Sequence, residues 1–190
     1  MAGLWNNRTV ETNDDPAIGG DKVRLRRVTE DDAELLELWH STEYVGEFND
    51  FGVQLGPVRG RIQKTGLVSA QSGTLIVELE TTRKPIGTVG WREVRYGPNP
   101  ASVAWNIGIN LIPEARGHGY GSEAQHVLAD HLFATSRVNR IEAMTDIDNL
   151  AEQRALQNAG FAREGVLRGA QYRHGGWHDL VVYSCLRRLR

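Results

Sequence analysis

The stretch NLIPEARGHGYGSEAQHVL, from Asn110 to Leu128, constrains this chain more than any other. Gly117, Gly119 and Gly121 fall at alternate positions between a β-like run and a helix-like one. Glycine costs conformational entropy, so such a cluster marks a tight turn or a close backbone approach. A strand, a glycine loop and a helix start also leave backbone N–H groups free at the positive end of a helix dipole. That arrangement suits a phosphate. Behind the loop, Ala124, Val127, Leu128, His131, Leu132 and Thr135 recur at helical spacing and give the helix one apolar face.

The segments before the loop read as strands. KVRLRRV alternates apolar with basic residues, and Thr29 then starts a helix whose first turn is acidic and whose Leu35, Leu36 and Trp39 share a side. A second, weaker helix follows in PVRGRIQKTGLVSAQ, interrupted by Gly60 and Gly66. TLIVELE, KPIGTVGWREVRYG and SVAWNIGINLI are divided only by short turn-like pieces, which predicts an antiparallel meander. RIEAMTDI is reached through a whole helix and is expected to run parallel to the strand before the glycines. A short helix from Asn149 ends at Gly160, and FAREGVLRGAQYR, HGG and WHDLVVYSCLRR close the chain as a hairpin. The expected fold is α/β with a mixed, mostly antiparallel seven-stranded sheet and helices on both faces. Residues 1–21 read as a polar tail, with Leu4 and Trp5 as its apolar exception, and 22–190 as one domain.

Bulk composition narrows the function. The 190 residues carry a net charge of −2, which offers no general attraction to nucleic acid. No apolar run approaches the roughly 20 residues of a membrane span, and the first residues lack the pattern of a secretory signal. The single cysteine, Cys185, permits no internal disulfide framework. These features point to a cytoplasmic protein. The six histidines form no ligand set, so no metal is expected.

Two nucleotide readings of the glycine loop fare poorly. The phosphate loop of nucleotide triphosphatases needs a Gly-Lys-Ser/Thr end, which is missing. Gly119 to Ala124 fits G-x-G-x-x-A, with Glu142 about 20 residues on, as in dinucleotide-binding oxidoreductases. That fingerprint, however, opens a parallel βαβ unit, and here a meander precedes it.

The loop from Arg116 to Gly121 resembles the R/Q-x-x-G-x-G/A loop of the GNAT acetyltransferases. The later segment DIDNLAEQRALQNAGFAREGVLRG is similar to the D-x-x-N…GF-x-x-EG-x-x-R pattern of their RimJ/RimL branch. The resemblance spans about 103–186 strongly and 22–102 less so. It implies a GNAT fold splayed between its fourth and fifth strands. It also implies an acetyl-CoA-dependent N-acetyltransferase, acting on a primary amine of a peptide N-terminus or small molecule by direct attack in a ternary complex. Arg116, Gly117, His118, Gly119, Tyr120, Gly121 and Ser122 would hold the coenzyme A pyrophosphate, and Ile109, Asn110 and Leu111 would pair with its pantetheine arm. Asn149 matches the family's asparagine near the cofactor and also suits a helix cap. A homodimer is common in the branch. A CoA-binding module without catalysis, or another acyl donor, stays open beside this reading.

Acetyl transfer to an amine needs a neutral amine, a stabilised oxyanion and a proton for the departing thiolate. Glu93, beside the cofactor strand, is the candidate base, with Glu78 and Glu80 as alternatives. The family's tyrosine acid is replaced by Leu156 and its serine by Glu152, which leaves Glu152 as the candidate acid. Tyr44 and Glu47 in an acidic, aromatic loop, Trp91 on a central strand, and Tyr172, Trp177 and Asp179 at the closing hairpin are the candidate acceptor contacts. Cys185 is expected to be a small buried residue and not a nucleophile.

Overall fold

Alternating apolar residues build the sheet, and the computed structural model describes it over residues 18–52 and 57–187. Leu4, Trp5 and the rest of the first 17 residues lie outside this description. The strands are β1 (Ile18–Gly19), β2 (Val23–Arg27), β3 (Ser72–Leu79), β4 (Pro85–Arg95), β5 (Val103–Leu111), β6 (Arg140–Asp146), β7 (Ala162–Arg173) and β8 (Gly176–Leu186). The helices are α1 (Ala33–Trp39), α2 (Thr42–Val45), α3 (Val58–Thr65), α4 (Tyr120–Thr135) and α5 (Leu150–Asn158). The expected seven strands are present, and an eighth is added by two residues assigned to the tail, since Ile18 and Gly19 pair with Leu25 and Arg24.

The sheet runs β1-β2-β3-β4-β5-β6-β8-β7, antiparallel throughout except where β6 joins β5. Cross-strand partners share a face. The pairs Leu25 with Val77 and Leu75 with Val89 therefore point one way, and all four are buried. α4 packs against β2, β4 and β5 and brings the fully buried Leu128 to the core. On the opposite face Arg26 reaches the start of α1, where its two terminal nitrogens hold Asp32 at 2.7 Å each. Asp32 also accepts the Thr29 N–H at 2.8 Å, which fixes the entry into the helix. α3 packs on α1 there and stops at Gly66, whose φ of 59° is left-handed.

Two features of the sheet create the site. The parallel pairing of β5 with β6 covers only Trp105–Ile141, Asn106–Glu142 and Ile107–Ala143. Beyond it the strands part, leaving the Gly108–Leu111 end of β5 without a neighbour on that side. The β7–β8 hairpin turns through His174 (φ 48°) and Gly175 (φ 81°), the two left-handed positions that a two-residue turn requires. Its end comes back over the loop after α2, where Arg173 donates to the Phe48 carbonyl at 3.0 Å.

Candidate active site

The loop between β5 and α4 is shaped by its glycines. Gly117 (φ 79°) and Gly119 (φ 81°) are both left-handed, and Gly119 caps α4. The first helical bond runs from the Glu123 N–H to the Gly119 carbonyl, so the amides of Tyr120, Gly121 and Ser122 come before it without intrahelical acceptors. Gly121 has a different reason to be small. A Cβ there would stand 3.6 Å from Leu111 and 3.7 Å from Ile109, filling space beside the end of β5.

Arg116 braces this loop with its side chain. Its guanidinium donates to the Leu111 carbonyl at 2.9 Å and to the Tyr44 carbonyl at 2.6 Å. It therefore ties the glycine loop to β5 and α2, with its charge lying among carbonyls. His118 donates from Nδ1 to the Arg116 carbonyl (2.8 Å) and stacks on Tyr120 with ring centroids 5.5 Å apart.

Two cavities meet at the parted strands. One, of about 600 Å³, is walled by Ile109–Leu111, the glycine loop, the start of α4, α5 and the loop 45–49. The other, of about 730 Å³, lies on the sheet face that carries α1 and α3. Val45, Asn49, Ile109 and Asn110 line both, so the end of β5 is their common wall. Both volumes fall in the range of small-molecule sites, roughly 300–1,000 Å³.

Of the residues expected to hold the cofactor, Ile109, Asn110, Leu111, Arg116, Gly117, Gly119, Gly121, Ser122 and Asn149 line the first cavity. His118 and Tyr120 do not, being turned into their own stack. Asn149 does double duty, because its Oδ1 accepts the Glu152 N–H at 3.2 Å and so caps α5.

Glu152 lines the same cavity. Desolvation raises its pKa to about 7, against a hydrogen bond from Gln125 that pulls it down. Gln125 is fully buried and donates to the Gly121 carbonyl at 3.2 Å, linking α5 to the glycine loop. Leu156, one turn further along α5, is fully buried in the core.

The expected base is elsewhere. Glu93 pairs in register with Trp105, and its neighbour Arg92 with Asn106. Successive residues point to opposite faces, so Arg92 lines the second cavity while Glu93 lies on the α4 face, bonded to Arg95 at 2.6 Å. Glu93 reaches neither cavity. Glu78 is held by Arg26 and Arg24, and Glu80 by Arg83. Glu142 is wholly buried between Arg140 (2.8 Å) and Tyr96 (2.5 Å), which removes it from any contact with a ribose.

The acceptor candidates scatter. Trp91 borders the second cavity, but by the same alternation its ring lies on the Glu93 face, across Gly73, where a Cβ would come within 2.1 Å of the ring. Glu47 lines the first cavity, and Tyr44 offers its carbonyl to Arg116 while its ring packs on the core. Tyr172 and Trp177 form an edge-on pair on the hairpin, 59 % and 70 % exposed, and line neither cavity. Asp179 accepts the Gly169 N–H at 2.7 Å within the hairpin. Cys185 sits opposite Ile141 and also lines neither cavity.

Sequence reasoning missed His40, Arg61, Lys64 and Arg92 in the second cavity, and Asn49, Arg154 and Asn158 in or beside the first. It also missed Lys22, whose Nζ is 3.4 Å from where a Gly119 Cβ would be. These residues come from six separate segments, and spacing along the chain carries no signal for that convergence. Among the described residues no three His, Cys, Asp or Glu side chains gather as a metal site. No described helix is long and apolar enough to cross a membrane.

The family model for the acetyltransferase (GNAT) domain matches residues 22–162. Over 178 residues the chain is 28 % identical to the uncharacterized N-acetyltransferase YoaA of Bacillus subtilis, covering 90 % of this chain and 97 % of that protein. It is 27 % identical over 172 residues to the uncharacterized N-acetyltransferase p20 of Bacillus licheniformis, covering 88 % and 94 %. Among solved structures it is similar to the RimL ribosomal L7/L12 α-N-protein acetyltransferase in complex with coenzyme A. That match has a TM-score of 0.74 at 19 % identity, over 90 % of this chain and 97 % of that one. The spermidine N-acetyltransferase of Vibrio cholerae, in complex with CoA and spermine, gives 0.73 at 17 % identity, over 87 % and 95 %.

Proposed function

The chain belongs to the GNAT acetyltransferase family and is an acetyl-CoA-dependent N-acetyltransferase, and on that premise we propose that a primary amine of a peptide N-terminus or small molecule attacks directly in a ternary complex. The observation that carries this reading is the shared wall of the two cavities. An acyl donor in one and an amine in the other would meet at Ile109–Asn110.

The residues fit coenzyme A. Two left-handed glycines, three amides without helical acceptors and the Lys22 ammonium suit a pyrophosphate. The end of β5 at Gly108–Leu111, which no described strand pairs on that side, offers its remaining backbone groups to an extended amide chain; the Leu111 carbonyl is already taken by Arg116 and the Ile109 carbonyl is met by Asn49 at 3.5 Å. When bound, acetyl-CoA supplies an acetyl group already activated as a thioester.

Glu152 is the proposed acid. With a pKa of about 7 it keeps its proton in about half of the molecules at pH 7 inside the donor cavity, and a free thiol has a pKa of about 8.5. Proton transfer from Glu152 to the departing sulfur is therefore downhill. No described carboxylate lines the acceptor cavity, so the ammonium loses its proton to water before it attacks. Cys185 stands away from both cavities, which leaves no thiol for an acetyl-enzyme route. Residues 22–190 act as one catalytic domain, in the cytoplasm, on acceptors other than nucleic acid.

Thiol release from acetyl-CoA, followed across an amine panel with intact-protein mass spectrometry alongside, tests the reading. Amine-dependent release without an acetylated protein is the expected result. Tight CoA binding with no release would leave a binding module, and an adduct chased by amine would replace the ternary mechanism.

A further inference from the structure

The acceptor cavity has a one-sided charge. Arg61 and Lys64 enter it from α3 and Arg92 from β4, while among the described residues no aspartate or glutamate lines it. None of the three cations has a carboxylate within salt-bridge distance among the described residues, although Arg24, Arg26, Arg83, Arg95, Arg140 and Arg173 all do. The segment 53–56, near this cavity in sequence, reads Val-Gln-Leu-Gly and brings no charge.

The cations are not placed alike. Arg92 stands on the cavity floor, and its Nε donates to Asn106 Oδ1 at 3.3 Å, which directs the guanidinium along the sheet. The Nδ2 of that same asparagine is buried and has no partner. Arg61 lies close enough to His40 to lower the imidazole pKa, adding to the effect of its burial. His40 therefore stays neutral at pH 7 and offers no negative counter-charge. Neither Glu47 nor Asp50 lines the acceptor cavity. Glu47 lines the donor cavity, and the Asp50 carboxylate accepts the Gly52 N–H at 3.0 Å.

We propose that the acceptor is an amine that also carries an anionic group, a carboxylate or a phosphate, seated between Arg61, Lys64 and Arg92. This rests on the acetyltransfer reading above and deepens it. A polyamine would bring like charge against three cations, with only water to separate them. An anionic group would fix the acceptor at the floor and leave its amine to reach along β5 toward Ile109 and Asn110. Arginine supplies the planar, forked donors that such oxyanions match.

Matched acceptors that differ only in the anion provide the test. O-phosphoethanolamine is compared with ethanolamine, glycylglycine with glycylglycinamide, and spermidine serves as the cationic extreme. Each kcat/KM is read by thiol release and corrected for the fraction of free amine. The expected result is at least a tenfold preference for the anionic member of one pair, shrinking with added salt. The phosphate and carboxylate pairs tell the two anions apart. In Arg92→Gln and in Arg61→Gln/Lys64→Gln the preference should collapse toward one, with acetyl-CoA affinity within twofold of the parent. A preference for the neutral amines or for spermidine overturns the proposal while leaving acetyl transfer intact. So does an anion preference that survives in both variants. If no amine releases thiol, the reading of the function itself fails. Calorimetry of O-phosphoethanolamine on the CoA-loaded protein then decides the anion site: binding lost in the variants supports it, and no binding in the parent rejects it.

Discussion

Arg173 and Asp146 form an ion pair, Nη2 to Oδ2 at 2.5 Å, with both side chains almost fully buried. The same guanidinium donates to the Phe48 carbonyl at 3.0 Å and sits 5.4 Å from the centre of the Phe48 ring. Phe48 lines the donor cavity. The pair thus joins the end of β6, the closing hairpin and a wall of the site. Losing Arg173 leaves the Asp146 charge buried with only the Asp148 N–H at 2.8 Å and His178 Nδ1 at 3.2 Å beside it, and breaking a buried pair in this way typically costs about 3–5 kcal/mol. Arg173→Met should lower stability by that amount in denaturant unfolding and weaken acetyl-CoA binding as the loop loses its anchor. Adding Asp146→Leu should restore stability but not affinity. Unaltered stability in the single variant would show that the charge at Asp146 finds other partners or water.

The glycine loop gives a second expectation. Gly119 must be left-handed, and the space beside it is next to Lys22. In Gly119→Asp the new carboxylate would pair with Lys22 and repel a pyrophosphate. Acetyl-CoA affinity should fall at least tenfold, about 1.4 kcal/mol. Lys22→Gln should cause a smaller loss, of roughly three- to tenfold, that vanishes at high salt. Calorimetry at two salt concentrations distinguishes these effects. A Lys22→Gln protein with parental affinity at low salt would remove the lysine from the site.

The fold was largely legible because its signals are local. Short turns announced the β3–β5 meander, helical spacing gave α4, and the HGG turn announced the β7–β8 hairpin. The turn of the glycine loop was legible for the same reason, whereas Ile109–Leu111 and Asn149 came from the family resemblance, and they line the same cavity as the loop. Ile18–Gly19 was not, because two residues carry no periodicity. The acceptor cavity was harder still, since Arg61, Arg92 and His40 converge only through packing. For Glu93 the difficulty was a single residue of register. Alternation says that Arg92 and Glu93 face opposite ways, but not which of them meets the cavity. The raised pKa of Glu152 likewise comes from burial by packing, with Gln125, 27 positions earlier, pulling against it.

That placement yields a direct contrast. Glu93 lies on the α4 face with Arg95, and its partly exposed pair is of a kind worth about 0–1 kcal/mol. Glu93→Gln should keep acetyl transfer within about twofold of the parent at every pH. A general base typically contributes ~10²–10⁴-fold, so the two outcomes are easily told apart. A tenfold loss at pH 7 that recovers near pH 9 would mean that Glu93 does relay the proton of the amine.

Glu152 should control both activity and stability through one titration. Its pKa in the folded protein is about 7, against 4.5 for an ordinary glutamate, because burial disfavours the charge. Between those values the folded protein keeps a proton that the unfolded chain has lost. Stability from this group is therefore complete below about pH 4.5 and is lost as pH rises to about 7. Glu152→Gln keeps the neutral shape, so its unfolding free energy should decline less than the parent's across that window. For catalysis the protonated acid is the working form, and parental turnover should fall above pH 7 once the rise from the free amine is divided out. In Glu152→Gln turnover at pH 6.5 should drop by at least tenfold, in the range of lost acid catalysis. The falling limb near pH 7 should vanish, so the gap between the proteins narrows as pH rises. Acetyl-CoA affinity, measured separately, should change little below pH 7, where both side chains are neutral. If the variant retains a falling limb at the parental pH, the proton for the departing sulfur comes from another group.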